Sequence, residues 1–219
     1  MPTPKEGYFL SDGAKVPGVT TILGRFKESG GLMQWAFAQG RSGAASLYET
    51  SKVAADIGTL AHLMVEHHIH HRGAVERPAE MSESDFVRAE AAFHSYLTWE
   101  EQTSLRVLTT EVRLVSEKHR FGGTIDALGE IRGHLCLPDW KTSNATYSDY
   151  LIQIAAYGAL WEENFPDQPL EGGFHLLRFA KENGDFHHHH FPRLDDGFEM
   201  FVCLRRAWDL DKQLKKRAA

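Results

Sequence analysis

The segment from Gly122 to Lys141, Gly-Gly-Thr-Ile-Asp-Ala-Leu-Gly-Glu-Ile-Arg-Gly-His-Leu-Cys-Leu-Pro-Asp-Trp-Lys, constrains this chain more than any other. Its pattern predicts two strands joined by the two-residue turn Arg132-Gly133. With that turn Ile131 faces His134, and each step outward pairs the next residues until Asp126 stands opposite Asp139. Directly opposed residues on one sheet face have Cβ atoms about 4.5–5.5 Å apart. Lys141, two residues past Asp139, points to the same face. Two carboxylates so placed repel each other unless a cation lies between them. A divalent metal ion flanked by a lysine is the simplest such cation. The set suggests metal-assisted hydrolysis of a phosphodiester.

Composition bounds the alternatives. A chain of 219 residues with 42% hydrophobic and 25% charged residues suits a globular fold with a sizeable core. Its two cysteines, Cys136 and Cys203, are far apart and form no Cys-x-x-Cys pair, which argues against a cysteine-built zinc or iron–sulfur site. The start of the chain carries no apolar signal core and no run reaches membrane-spanning length, so a reducing, cytoplasmic setting without membrane attachment is expected. The formal net charge of −6 opposes tight non-specific nucleic-acid binding, but carboxylates that hold a metal are offset by it. The basic stretch Lys212, Lys215, Lys216, Arg217 suits the C-terminal dipole of a solvated helix.

Periodicity then sets the organisation. A short strand is expected at Tyr8 to Leu10, a turn at Pro17-Gly18 and a helix start near Thr20. Ser29-Gly-Gly31 reads as a loop, Leu32 to Ala38 as a helix, and Gly40-Arg-Ser-Gly43 as a break. Gly58 to His71 reads as a helix, as does a segment capped by Ser82 or Ser84 with Phe86, Ala89, Phe93 and Tyr96 or Leu97 at helical spacing. Leu108, Thr110, Val112 and Leu114 alternate with Thr109, Glu111 and Arg113, as on a strand. After the hairpin come a helix over Tyr150 to Trp161, two strands over Gly172–Ala180 and Phe186–Phe191 with a turn at Asn183-Gly184, and a final helix from Asp195 or Asp196. Helices, then strands interleaved with helices, predict one α/β domain over residues 1–219. Residues 1–104 form its mainly helical lobe and 105–219 its mixed-sheet core with flanking helices.

Two further pairs stand on helix faces. His62 and Glu66 are four residues apart and neighbour each other, either as an ordinary polar face or as helpers of the acidic hairpin, since an imidazole can fill a metal position that carboxylates leave open. Gln153 and Tyr157 repeat that spacing, and a buried tyrosine hydroxyl satisfied by the glutamine explains them equally well. His187 to His190 read as an exposed strand, and His67, His68, His70 and His71 as a polar helix end. No Gly-x-Ser-x-Gly elbow supports an esterase.

Taken in order, Gly58-x-x-x-His62, Asp126, Asp139-x-Lys141 and Gln153-x-x-x-Tyr157 resemble the RecB-type branch of the PD-(D/E)XK nuclease superfamily. Val16-Pro-Gly-Val-Thr-Thr-Ile-Leu resembles the N-terminal segment of stand-alone exonucleases of that branch, phage-encoded and mitochondrial-genome-maintenance types among them. The resemblance implies a restriction-endonuclease-like fold: a mixed central sheet flanked by helices, with an N-terminal helical lobe. It implies that Asp126, Asp139 and His62 hold Mg²⁺ or Mn²⁺ (one ion or two), with the Trp140 carbonyl as a further ligand. Lys141 then orients the attacking water and stabilises phosphate charge. Gln153 and Tyr157 position the catalytic strand or the DNA backbone, and Glu66 is an additional acidic helper. Relatives with an iron–sulfur cluster need four cysteines, which this chain lacks. No Gly-x-x-x-x-Gly-Lys-[Ser/Thr] loop for ATP exists, so the expected partner is DNA that is single-stranded or has free ends, with a recombination or replication protein as a possible second partner. The implied activity is a metal-dependent DNA exonuclease of phage or bacterial recombination, replication or repair. The rivals are a structure-specific endonuclease on the same fold and a non-catalytic DNA-binding or assembly module.

Overall fold

The computed structural model describes residues 6–26, 30–43, 47–143, 145–179 and 186–218. In chain order these form β1 (Tyr8–Phe9), β2 (Lys15–Val16), α1 (Val19–Phe26), α2 (Gly30–Arg41), α3 (Leu47–Ile69), α4 (Glu83–Thr103), β3 (Arg106–Ser116), β4 (Phe121–Ile131), β5 (His134–Thr142), α5 (Ser148–Asn164), β6 (Gly173–Phe179), β7 (Phe186–Phe191) and α6 (Asp195–Ala218). The expected order is present, with two differences in the helices. Gly30 and Gly31 begin α2 instead of preceding it, and α3 starts eleven residues before Gly58. Ser29 and the Asn183-Gly184 turn lie outside the described residues. Ser82 is the N-cap of α4, and its hydroxyl accepts the Asp85 amide.

Strands β3 to β7 form one sheet in sequence order, antiparallel except for the parallel β5–β6 pair. Helix α5 makes the crossover that a parallel pair requires. It is apolar on nearly every side because it is covered on nearly every side. Ile152, Ile154, Ala155, Ala156, Tyr157 and Leu160 are buried against the sheet, α1 and Phe201 of α6. The opposite sheet face is covered by α3 and α4, where Ile57, Leu60, Met64, Tyr96 and Trp99 meet Ala127, Cys136, Trp140 and Leu177. The helical first part of the chain thus closes the second face of the sheet.

The hairpin forms at the expected turn. Arg132 and Gly133 both take left-handed backbone angles, φ 53° and 81°, as a type I′ turn requires. Ile131↔His134, Glu130↔Leu135 and Gly129↔Cys136 pair in the expected register, and the ladder stops there. Extrapolating it to an Asp126↔Asp139 pair is therefore a correction to make. In this register Pro138 falls opposite Ala127 at a hydrogen-bonded position, and a proline has no N–H to donate. On the other side of β5 the parallel ladder to β6 runs unbroken from Cys136↔Gly173 to Thr142↔Phe179. So β5 keeps β6 and parts from β4 just before the acidic residues.

Candidate active site

Asp126 from β4 and Asp139 from β5 are both buried, although neither belongs to a hydrophobic cluster. Lys141 donates to Asp139 Oδ1 at 2.9 Å, and its Nζ approaches Oδ2 at 2.7 Å without forming a second well-aligned bond. The ammonium is thus a cation directly beside Asp139, and both carboxylates favour its charge. Its other side faces the Tyr150 ring of α5, 5.8 Å from the centroid. Oδ2 of Asp126 is buried with no hydrogen-bond partner among the described residues. A buried carboxylate oxygen with no donor is costly in the metal-free protein and is an available hard ligand.

The electrostatics tie these groups into one cluster. The Asp139 carboxyl is raised to about 7: burial pushes it up most, Lys141 pulls it down, and Asp126 pushes it up again. Burial alone lowers the Lys141 ammonium, but the Asp139 and Asp126 carboxylates outweigh it and leave the group raised. His62, on α3, is lowered to about 4, first by burial, with Asp126 raising it and Lys141 lowering it. It is therefore a neutral imidazole near pH 7, the form able to ligate a metal. The Tyr157 hydroxyl is pushed well up by burial and by both carboxylates.

The sequence-derived residues are distributed as follows. His62, Asp126, Asp139, Lys141 and Tyr157 share this cluster, and Gln153 joins it by donating to the Tyr157 hydroxyl at 2.9 Å. Both Gln153 and Tyr157 are buried. The Trp140 indole lies on the opposite sheet face, edge-on to Tyr96 at 5.8 Å and to His62 at 6.3 Å. Glu66 turns away to Arg72 at 2.7 Å. Among the described residues no three His, Cys, Asp or Glu side chains converge as a ready-made metal cage. The donor set still fits a magnesium-like ion, which takes one or two carboxylates and fills its shell with water and substrate phosphate.

The sequence model of the PD-(D/E)XK nuclease superfamily matches residues 33–208. The chain belongs to this superfamily. No curated protein matches it in sequence. Similar solved structures include an exonuclease candidate from Eubacterium rectale, with 13% identity over 69% of this chain and 68% of that one and a TM-score of 0.47. They also include LHK-Exo in complex with dAMP, at 16% identity, 73% and 83% coverage and a TM-score of 0.43. The alkaline exonuclease LHK-Exo from Laribacter hongkongensis follows at 14% identity, 74% and 85% coverage and a TM-score of 0.34. The mixed sheet flanked by helices is the restriction-endonuclease-like architecture of the superfamily.

Two contacts of this superfamily member go beyond the roles the motifs imply. Tyr150 lies three residues before Gln153 and seven before Tyr157, so helical spacing would have placed it on their face. Gly58 packs against β5: a Cβ there would sit 3.1 Å from Thr142 Cβ, next to Lys141. The absent side chain lets α3 approach closely enough for His62 to feel Asp126.

Proposed function

We propose that this protein is a magnesium- or manganese-dependent deoxyribonuclease of the RecB-type branch that acts from free or frayed DNA ends, residues 1–219 working as a single nuclease domain. The observation that carries the reading is the pair of buried carboxylates, Asp126 and Asp139, with the partly buried Lys141 ammonium bonded to Asp139. Its setting is phage or bacterial DNA recombination, replication or repair.

Asp126 and Asp139 would hold the ion through their carboxylate oxygens, with neutral His62 as a third ligand and the Trp140 carbonyl as a further one. When bound, the ion supplies Lewis-acid polarisation of a phosphate oxygen and a bound water of lowered pKa. Lys141 exchanges its bond to Asp139 for the attacking water and for charge developing on the phosphate. Tyr150 keeps the ammonium aimed. Because Gln153 and Tyr157 are buried, their part is to fix the carboxylates from beneath. Glu66, engaged with Arg72, takes no part.

The test is digestion of end-labelled linear and closed circular DNA, single- and double-stranded, with Mg²⁺, Mn²⁺ or chelator. We expect linear substrates to be degraded only with metal and closed circles to survive. Cut circles would make the protein an endonuclease, and no cleavage under any condition would make it a binding module.

A further inference from the structure

Strand β3 contains a backbone anomaly level with the acidic hairpin. Glu111 has φ 54°, a left-handed angle that residues bearing a Cβ avoid and that strands do not use. The other non-glycine residues with positive φ among the described residues, His71, Ser104, Arg120 and Arg132, lie outside the strands at turns or helix ends. Thr110↔Ala127 and Val112↔Ile125 are paired across β3 and β4, while Glu111 and Asp126, the residues between them, are not.

The facing of both strands changes at that level. On β3, Val112 and Leu114 pack on the α5 side, whereas the Thr110 hydroxyl meets His70 at the end of α3, 2.9 Å away. Strict alternation would put all three on one face. On β4, a Cβ at Gly123 would meet Tyr157 and Leu160 of α5, and Ile125 lies in the same cluster. Yet Ala127 lies in the α3–α4 cluster and Leu128 in the α5 cluster. The two strands switch together, and Asp126 is the residue at the switch. Counted back from Leu128, it comes to the side of Leu137, Asp139 and Lys141. Counted forward from Ile125 by simple alternation, it would point away from them.

We propose that Glu111 is a positioning residue: its left-handed backbone switches the facing of β3 and, through strand pairing, of β4, and so turns the Asp126 carboxylate toward Asp139 and Lys141. The Glu111 side chain is exposed, so its backbone angle matters and its carboxylate does not. Strain held by the surrounding structure beside a reactive centre is the kind that serves function. The inference rests on the hydrolytic reading of these carboxylates given above.

The test compares Glu111→Gly and Glu111→Ala with Glu111→Val, whose branched Cβ most strongly rejects the left-handed angle. Mn²⁺ affinity is measured by calorimetry, alongside kcat and KM on linear DNA and circular dichroism for folding. Gly and Ala variants should keep native Mn²⁺ affinity, while Val should lose about tenfold in Mn²⁺ affinity and in kcat with KM unchanged. If Val does not fold, the milder Glu111→Thr takes its place. A folded Val or Thr variant with native Mn²⁺ affinity overturns the inference alone, as does a Gly variant that loses affinity. Native protein that neither binds Mn²⁺ nor cuts DNA overturns the hydrolytic reading and this inference with it.

Discussion

Asp139 is fully buried, with Lys141 and Asp126 acting on it with opposite signs. Its carboxyl, raised to about 7, binds a proton in the folded chain over a range where the unfolded chain has lost it. Stability from this group is therefore fully present below about pH 4 and is lost as pH rises toward 7. In metal-free protein, Asp139→Asn removes this opposing contribution, so stability should rise more steeply between pH 5 and pH 7 than in the native protein, which urea denaturation at the two pH values would reveal. Asp126→Asn removes a charge that pushes Asp139 up, so in that variant the Asp139 carboxyl should ionise at lower pH than in the native metal-free protein. An Asp139 titration that does not move in the Asp126→Asn protein would mean that the two carboxylates do not act on each other. These residues were legible in sequence because acid, acid and lysine at hairpin spacing have few other uses. Glu111 was not, because its role lies in a backbone angle that its identity does not announce.

Among the elements, the acidic hairpin and α3 set the geometry. The turn residues dictated the register, and Pro138 dictated where the register ends; the first was read from sequence and the second overlooked, although the missing N–H was there to be seen. The expected alternation of β3 failed for a related reason. Leu108 is exposed and the ladder shifts between Val107 and Thr109, so simple apolar periodicity misassigned it. Helix α3 depends on Gly58 for its distance from β5. Glycine in a helix interior costs about 1 kcal/mol against alanine, so only the close approach to Thr142 justifies it. Gly58→Val should push α3 outward and destabilise the protein by roughly 1–3 kcal/mol. Metal-dependent cleavage should fall more than tenfold as His62 moves away from Asp126. Thermal unfolding together with a nuclease assay checks both, and an active, fully stable variant would remove Gly58 from this account.

At the scale of the molecule, the histidines and Asp139 oppose each other in pH dependence. His62 and His175 are each lowered to about 4, first by burial, and His188 is lowered as well. His175 of β6 stacks on His188 and His190 of β7, with Nδ1 of His175 2.8 Å from Nε2 of His188. The four-histidine strand is mostly exposed, as its sequence suggested, but the partner histidine on β6 could not be seen from local pattern. Buried neutral histidines contribute stability that is present above about pH 6.5 and lost as pH falls toward 4. Two or more histidines outweigh one Asp139, so stability of the metal-free protein should rise from pH 4 to about 6.5 and level off or decline slightly by pH 7. A denaturation series across that range would contradict this if stability fell steadily from pH 4. The three-layer architecture was largely legible, because α5 is apolar all round and must be covered on both sides.

The central claim is that Asp126, Asp139 and Lys141 form one metal-dependent hydrolytic centre. The most direct measurement is release of an end label from linear DNA at saturating Mn²⁺ by native protein and by folded Asp126→Ala, Asp139→Ala and Lys141→Ala variants. Native protein should release label, and each variant should lose at least about a hundredfold in rate, the scale on which one electrostatic catalytic group acts. Undiminished release by any one of the three would contradict the account.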